Sequence, residues 1–143
     1  MLRVRRQPQP IIAKQEMLMG ATRVTVAIVN PADKSRRWEG LFLVDTGATD
    51  CYVPAKSLRA IGIEPVTERD YELADGSKLK IPIGVAQIEF MGDITAATVL
   101  FGEDDAEPIL GVTPLASVGI EVDPTTQRLK RLPAVRLKRF AKR

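Results

Sequence analysis

The sequence predicts an all-β fold: a small closed barrel or sandwich with one or two short helices. Two observations predict it. Short segments of alternating polar and apolar residues recur along the chain, and clusters of turn-forming residues separate them. The 143 residues suffice for one domain with a buried core. We expect a basic N-terminal extension at residues 1–18, the folded domain at 19–132 and a basic C-terminal tail at 133–143.

The first half of the domain is predicted to form a hairpin and a short helix. Residues 22–29 alternate polar and apolar side chains, residues 30–33 are turn formers, and residues 38–44 are the returning strand. Because residues 41–44 are all apolar, we expect this strand end to be buried on both faces. Residues 54–61 predict a helix that Pro54 opens and Gly62 stops.

The second half is predicted to contain seven further β segments and a second helix. Residues 71–83 form a hairpin pattern around Asp75-Gly76, a favoured tight-turn pair. A short helix with Pro114 in its first position is expected to follow the apolar segment at 109–111. The remaining predicted strands are residues 85–90, 94–101, 120–122 and 127–132.

Composition excludes several kinds of enzyme. The chain has no histidine, which removes Ser-His-Asp and Cys-His catalysis, HExxH metalloproteases and histidine-containing zinc fingers. No glycine-rich phosphate-binding motif is present. The single cysteine cannot form an intrachain disulfide and fits a reducing, cytoplasmic location. We expect no signal peptide, and no apolar run approaches the ~20 residues of a membrane helix.

Charge is concentrated at the two ends of the chain. Residues 1–16 carry a net charge of +3 and residues 128–143 a net charge of +8, so the segment between them carries −8 of the overall +3. One interpretation is solvated, partly disordered ends. The alternative is weak contact of the basic tails with nucleic acid or an anionic surface.

Asp45-Thr46-Gly47 is the motif that suggests chemistry. It follows the apolar strand, Gly47 permits a sharp turn close to the carboxylate, and Thr46 offers a hydroxyl that could lock the loop against a second copy. We expect the carboxylate to lie in an apolar place, where ionisation costs more. An aspartate dyad needs a second carboxylate, and a two-fold homodimer would supply it. The bland alternative is an ordinary turn, since Asp and Gly are common turn residues.

Three segments resemble the retropepsin-like aspartic proteases, in order and spacing, over about residues 20–132. Residues 43–49 (LVDTGAT) resemble the active-site loop, residues 71–76 (YELADG) the first arm and tip of the flap hairpin, and residues 109–111 (ILG) the strand before the final helix. The small single-domain bacterial and archaeal members are the most similar. The resemblance implies a closed β subunit working as a two-fold homodimer, and an aspartic endopeptidase that needs no metal or cofactor and cleaves peptides or unfolded protein.

The resemblance also assigns roles to single residues. It implies that Asp45 is catalytic and that Thr46 and Gly47 support the loop. The substrate-binding residues it implies are Ala48, Thr49, Ala74, Asp75 and Gly76.

Two positions depart from the viral pattern. Viral members commonly have Asp at the position of Thr49 and Arg at that of Val112, so both partners of an ion pair that supports their dimer are missing here. The flap tip also has one glycine, Gly76, where viral tips are glycine-rich. These departures leave open a catalytically silent peptide-binding or assembly module as the alternative function.

Three other features have two interpretations each. Cys51 is expected to be a core residue because no histidine is available to activate it as a nucleophile. The acidic residues of the 103–107 segment are interpreted as a solvated loop, with a divalent-cation site as the alternative. Trp38 is interpreted as a core or dimer contact, with a ligand platform as the alternative.

Overall fold

The computed structural model describes residues 15–18 and 21–137. In this part of the chain, ten β-strands and two short helices follow one another. Their bounds are β1 Gln15–Leu18, β2 Ala21–Asn30, β3 Asp33–Val44, β4 Cys51–Pro54, α1 Ala55–Ala60, β5 Thr67–Glu72, β6 Lys78–Phe90, β7 Asp93–Gly102, β8 Ile109–Leu110, α2 Val112–Ser117, β9 Ile120–Val122 and β10 Leu129–Arg131.

Eight strands form one sheet that closes on itself. Their order is β1-β2-β3-β8-β4-β7-β6-β5, and an additional pairing of β2 with β6 joins the second strand to the seventh. Six strands therefore form a closed ring, and β1 and β5 lie outside it. The strands β9 and β10 form a separate two-stranded sheet. The predicted small closed β fold with two short helices is confirmed.

The core lies inside this ring. Along β2 the alternating residues Val24, Val26 and Ile28 are fully buried, as the sequence pattern predicts. They pack with Phe42 of β3 and with apolar residues of β4, β6, β7 and both helices. Each fully buried aliphatic side chain stabilises the fold by about 1.5–3 kcal/mol relative to an exposed one.

Both helices lie near their predicted positions. Pro54 is the N-cap of α1, and Gly62, with a φ of +82°, follows its C-terminal end. The carboxylate of Asp104 accepts a hydrogen bond from the backbone N–H of Lys56 at 3.0 Å and so caps α1 from another loop. Helix α2 begins at Val112, two residues before Pro114. A proline is tolerated in the first turn because its missing N–H would have no intrahelical acceptor.

Strand β6 corrects one prediction. Residues 78–90 form a single strand, whereas the sequence divides them into a hairpin arm and a separate strand. Its first part pairs with β5 to form the flap hairpin (residues 67–83), and from Ile83 onward it pairs with β7 inside the ring. The flap hairpin is therefore an extension of a core strand.

The chain ends are described only in part. Strand β1 lies within the predicted extension and pairs with β2, with Gln15 opposite Val24. The domain boundaries stay predictions, and residues 138–143 of the predicted tail lie outside the described residues. No helix in the described residues is long and apolar enough to span a membrane.

Candidate active site

Asp45 is the first residue after β3, and the neighbouring strand β8 holds it there. The two strands run parallel, with Leu43 opposite Ile109. The backbone N–H of Asp45 donates to the carbonyl oxygen of Leu110 at 3.0 Å, which continues the ladder one residue past the strand. The position of the Asp45 backbone is thus set by the sheet, and its side chain begins the Asp45 loop (residues 45–50).

A tight turn fixes the carboxylate of Asp45. The backbone N–H of Gly47 donates to its Oδ1 atom at 2.8 Å, and the N–H of Ala48 donates to its carbonyl oxygen at 3.0 Å. A Cβ atom on Gly47 would lie only 3.2 Å from Oδ1, so glycine allows the amide to approach this closely. One carboxylate oxygen is therefore oriented by the loop's own backbone.

The junction between β8 and α2 clasps the same loop from behind. The N–H groups of Val112 and Thr113 donate to the carbonyl oxygens of Ala48 and Thr49 at 2.8 and 3.0 Å. Gly111 sits so close that a Cβ atom there would lie 2.7 Å from the carbonyl carbon of Thr49 and 2.8 Å from the oxygen of Ala48. The sequence segment 109–111 and the Asp45 loop are thus packed backbone against backbone.

The Asp45 loop is more exposed in the single subunit than the sequence predicts. Asp45 is exposed, and so are Thr46, Gly47 and Thr49, while Ala48 is half-buried. The prediction that the end of β3 is buried on both faces is wrong. Within residues 41–44 only Phe42 is fully buried, because alternate side chains of the strand point to opposite faces and the ring covers one of them. The apolar surroundings predicted for the carboxylate are absent from the described subunit.

Beside Thr46 lies an apolar groove of about 390 Å³. Helix α2 forms one wall with Val112 and Ala116, and β9 forms another with Val122. The charged side chains of Glu121 and Arg136 also line the groove. Val112 is 41% exposed. The groove therefore places uncovered apolar surface next to the Asp45 loop.

The tip of the flap hairpin is a tight exposed loop. Leu73 donates its N–H to the carbonyl oxygen of Ser77 at 2.7 Å, and Gly76 adopts a φ of +88°, as the Asp-Gly turn predicts. The hydroxyl and N–H of Ser77 donate to Asp75 and lower the pKa of its carboxyl. Ala74, Asp75 and Gly76 are all exposed.

One hydrogen bond at the site was not anticipated from the sequence. The hydroxyl of Tyr71, on the first flap arm, donates to Oδ2 of Asp50 at 2.8 Å. Partial burial, and next the bond to Asp50, raise the pKa of the Tyr71 phenol, although the nearby Arg69 opposes the shift. The available signal is Tyr71 itself, an amphipathic aromatic residue in an otherwise polar arm.

Two of the other candidate residues have structural roles. Cys51 is fully buried, and burial raises the pKa of its thiol to about 12, which confirms the core interpretation. In the acidic loop, Asp104 caps α1 and Glu107 forms an ion pair with Arg23 at 2.6 Å. Within the described residues, no group of three or more potential ligands could hold a metal ion.

Comparison with known proteins finds structural similarity but no match in sequence. No protein-family model matches the chain, and no curated protein matches it in sequence. A retropepsin-like aspartic protease from Rickettsia conorii superposes with a TM-score of 0.62 over 91% of this chain and 96% of that one, at 18% identity. The chain has a retropepsin-like fold.

A second solved structure with this fold, the simian foamy virus (mac) protease, superposes with a TM-score of 0.46 at 17% identity over 65% of this chain and 90% of that one. The superposition on the Rickettsia conorii protein, at 18% identity, shows the fold alone. What the fold does in this chain has to be argued from Asp45 and its surroundings.

Proposed function

We propose that the chain is one subunit of a homodimeric aspartic endopeptidase, in which one Asp45 from each subunit forms the catalytic dyad. The observation that carries the proposal is the state of the Asp45 carboxylate. It is exposed and oriented by the Gly47 amide at 2.8 Å, and no cation pairs with it among the described residues. Asp33, Asp75 and Asp123 make the same turn bond. Asp45 differs from them because the backbone N–H groups of a second segment, residues 112 and 113, also hold its loop.

A second carboxylate is required by the chemistry. Two facing aspartates about 3 Å apart cannot both ionise, so they share one proton and titrate as a pair. The ionised member accepts a proton from water, whose oxygen attacks the peptide carbonyl carbon. The protonated member donates to the developing oxyanion. Collapse of the tetrahedral intermediate then breaks the C–N bond as the amine leaves with a proton from the dyad.

The surface around the Asp45 loop supports a second copy as the source of that carboxylate. The loop is exposed, and the apolar groove beside Thr46 is open in the single subunit. A two-fold axis next to this loop would bring two copies of Asp45 together and cover both grooves. It would also give the carboxylates the low-polarity surroundings that the single subunit lacks.

Substrate would bind extended between the Asp45 loops and the flap hairpins. An extended peptide can add strand-like hydrogen bonds to exposed backbone groups on both sides. Ala48 and Thr49 would contact it from below, and the exposed tip residues Ala74, Asp75 and Gly76 from above. Peptides and unfolded protein segments fit such a site, whereas folded domains do not present an extended chain.

The test pairs activity with oligomeric state. Asp45→Asn keeps an oxygen that accepts from the Gly47 amide, so the loop should retain its shape. We expect the wild-type chain to cleave a casein or peptide-library substrate with an acid-shifted optimum, and a pepstatin-type inhibitor to reduce the rate. The Asn variant should lose about a thousandfold or more of that rate. Undiminished cleavage by the variant would end the proposal.

Mixing the two chains tests whether the site is shared. In an equal mixture that has reached subunit-exchange equilibrium, only about a quarter of random dimers carry two Asp45 residues. Activity should therefore fall to about one quarter of that of wild type at the same total concentration. A fall to only one half would mean that each chain acts alone. A chain that stays monomeric by sedimentation and inactive would favour the silent binding module, to which the absence of charge at Thr49 and Val112 also points.

A further inference from the structure

The first arm of the flap hairpin touches the rest of the subunit at very few points. Within the part of the chain that the structure describes, strand β5 pairs only with β6, and five of its six residues are exposed. Tyr71 is the exception, since its ring packs against the small apolar cluster of Ile81, Ile83 and Leu100. This packing fixes the direction of the phenol, so its hydroxyl is presented to one place.

That place is the Asp45 loop. The Tyr71 hydroxyl donates to Oδ2 of Asp50 at 2.8 Å, and the contact is partly buried. Asp50 closes the loop that Asp45 opens, and the clasp formed by Gly111 and Val112 holds the same loop from behind. The bond therefore joins the flap hairpin to the segment that orients the proposed catalytic carboxylate.

The other polar contacts of the flap hairpin stay within it. Asp75 accepts from Ser77 across the tip, and Lys80 forms an ion pair with Asp70 across the two arms at 3.0 Å. Among the described residues, Tyr71 to Asp50 is the side-chain hydrogen bond that connects the hairpin to the body of the subunit.

We propose that Tyr71 is a positioning residue, which through Asp50 holds the flap hairpin in place above the Asp45 loop before substrate binds. This inference rests on the proposed endopeptidase function. A hairpin ordered in advance lowers the entropy that substrate must remove on binding. Loss of one partly buried hydrogen bond to a charged group should raise KM about tenfold. The effect on kcat should stay within about twofold, because Tyr71 does not contact the reacting atoms.

The experiment measures the order of the hairpin directly, without turnover, and measures the kinetics separately. A nitroxide on Ala74→Cys reports the mobility of the hairpin tip by electron paramagnetic resonance, and Cys51 leaves the labelling selective because it is fully buried. Tyr71→Phe, Asp50→Ala and the double variant form a cycle. Asp50→Asn keeps an acceptor oxygen and is the conservative rescue. Tyr52→Phe is the matched control, since Tyr52 packs on the same cluster but its hydroxyl accepts from the N–H of Glu103.

We expect Tyr71→Phe, Asp50→Ala and the double variant to raise tip mobility to the same extent. Asp50→Asn and Tyr52→Phe should stay near the parent mobility. Repeating the spectra in the Asp45→Asn background separates the two claims, because hairpin order is then measured in a chain that cannot turn over. A parent chain with no peptidase activity would refute the proposed function while the spectra still decided the role of Tyr71.

Three results would overturn the inference. Unchanged tip mobility in Tyr71→Phe would do so whatever the activity. Additive effects of Tyr71→Phe and Asp50→Ala would show that the two residues act separately. A fall in kcat at constant KM would show that Tyr71 serves the chemical step and not the prior order of the hairpin.

Discussion

The backbone contact at Gly111 allows a quantitative prediction. Gly111 has an extended backbone, with φ of −87° and ψ of −177°, that any residue can adopt. The cost of Gly111→Ala therefore comes from the added methyl group and not from backbone strain. That methyl would lie 2.7 Å from the Thr49 carbonyl carbon, 2.8 Å from the Ala48 oxygen and closer still to the Asp50 oxygen. Because all three are backbone atoms, the Asp45 loop itself must move.

The expected loss of stability is about 3 kcal/mol. Overpacking of this kind typically costs 1–3 kcal/mol. A shift of roughly 1 Å would also weaken the bonds from Val112 and Thr113 to the loop, each worth about 1 kcal/mol. Alanine also restricts the unfolded chain more than glycine does, which offsets about 0.4–1 kcal/mol of this loss. The same displacement at Asp45 should lower the proposed peptidase activity about a hundredfold, since catalysis is sensitive to ångström-scale misplacement.

Urea denaturation followed by circular dichroism measures the change in the free energy of unfolding. Gly76→Ala is the matched control: nothing lies within 4 Å of its added methyl, but its φ of +88° costs about 1 kcal/mol through left-handed strain. A loss below about 0.5 kcal/mol for Gly111→Ala would refute the view that backbone contact with Gly111 holds the Asp45 loop.

Three further predictions concern other parts of the subunit. Cys51, fully buried with a thiol pKa of about 12, should react with a thiol reagent only after the chain unfolds; rapid reaction of the native protein would contradict its place in the core. Arg131→Ala should destabilise the subunit by about 3 kcal/mol in urea, because the buried guanidinium pairs with Asp93 at 3.4 Å and bonds to the backbone of the 91–93 turn; a change within 0.5 kcal/mol would contradict this. The hydrogen bond from Arg37 lowers the pKa of Glu89, so its ionised form stabilises the fold above the unfolded pKa near 4.3, and this is lost as pH falls through the lower folded value. Glu89→Gln should thus cost about 0.5 kcal/mol at pH 7 and nothing once the pH lies below the folded pKa of Glu89, and an equal cost at both would contradict the pairing.

The sequence predicted those parts of the fold that depend on local patterns. The alternation in residues 22–29 specified a strand with one buried face, which holds as far as Val26, whereas residues 26–30 are buried on both faces. Asp75-Gly76 specified a hairpin tip with a left-handed glycine. Both signals depend on a few neighbouring residues, so they can be interpreted without knowledge of the remaining structure. The closure of the ring by the pairing of β2 with β6 has no local signal, and only the resemblance to a known family implied it.

Strand β6 shows how a local signal can mislead. Pro82 and Gly84 are residues that weaken a strand pattern, and the predicted division between the hairpin arm and the next strand falls at Gly84. Pro82 lies one residue before the pairing with β7 begins, so it has a strand partner on one side only and its missing N–H interrupts no second ladder. Gly84 faces the backbone oxygen of Glu64, where a Cβ atom would come within 3.1 Å. This tertiary contact explains why glycine occupies the position inside the strand.

The turn geometry at the candidate site was predictable from the sequence, but its environment was not. The motif at residues 45–47 pointed to a carboxylate held by a glycine turn, and the 2.8 Å contact of Gly47 with Asp45 has this form. The exposure of that carboxylate depends on which distant residues cover the loop. A local pattern of residues carries no signal for such contacts. The bond from Tyr71 to Asp50 spans 21 residues, and no short motif signals it.

The continuity of β6 also bears on how this subunit could diversify. Its outer part, Lys78–Lys80, is exposed and paired only with β5, whereas Ile81 and Ile83 anchor the strand in the small apolar cluster. Residues inserted as matched pairs into both arms beyond this anchor would lengthen the hairpin and keep every core side chain on its present face. Insertion of a single residue on the core side of the anchor would instead turn the buried face outward. Lineages of this fold could therefore vary the reach of the hairpin over a cleft while the barrel beneath it stays unaltered.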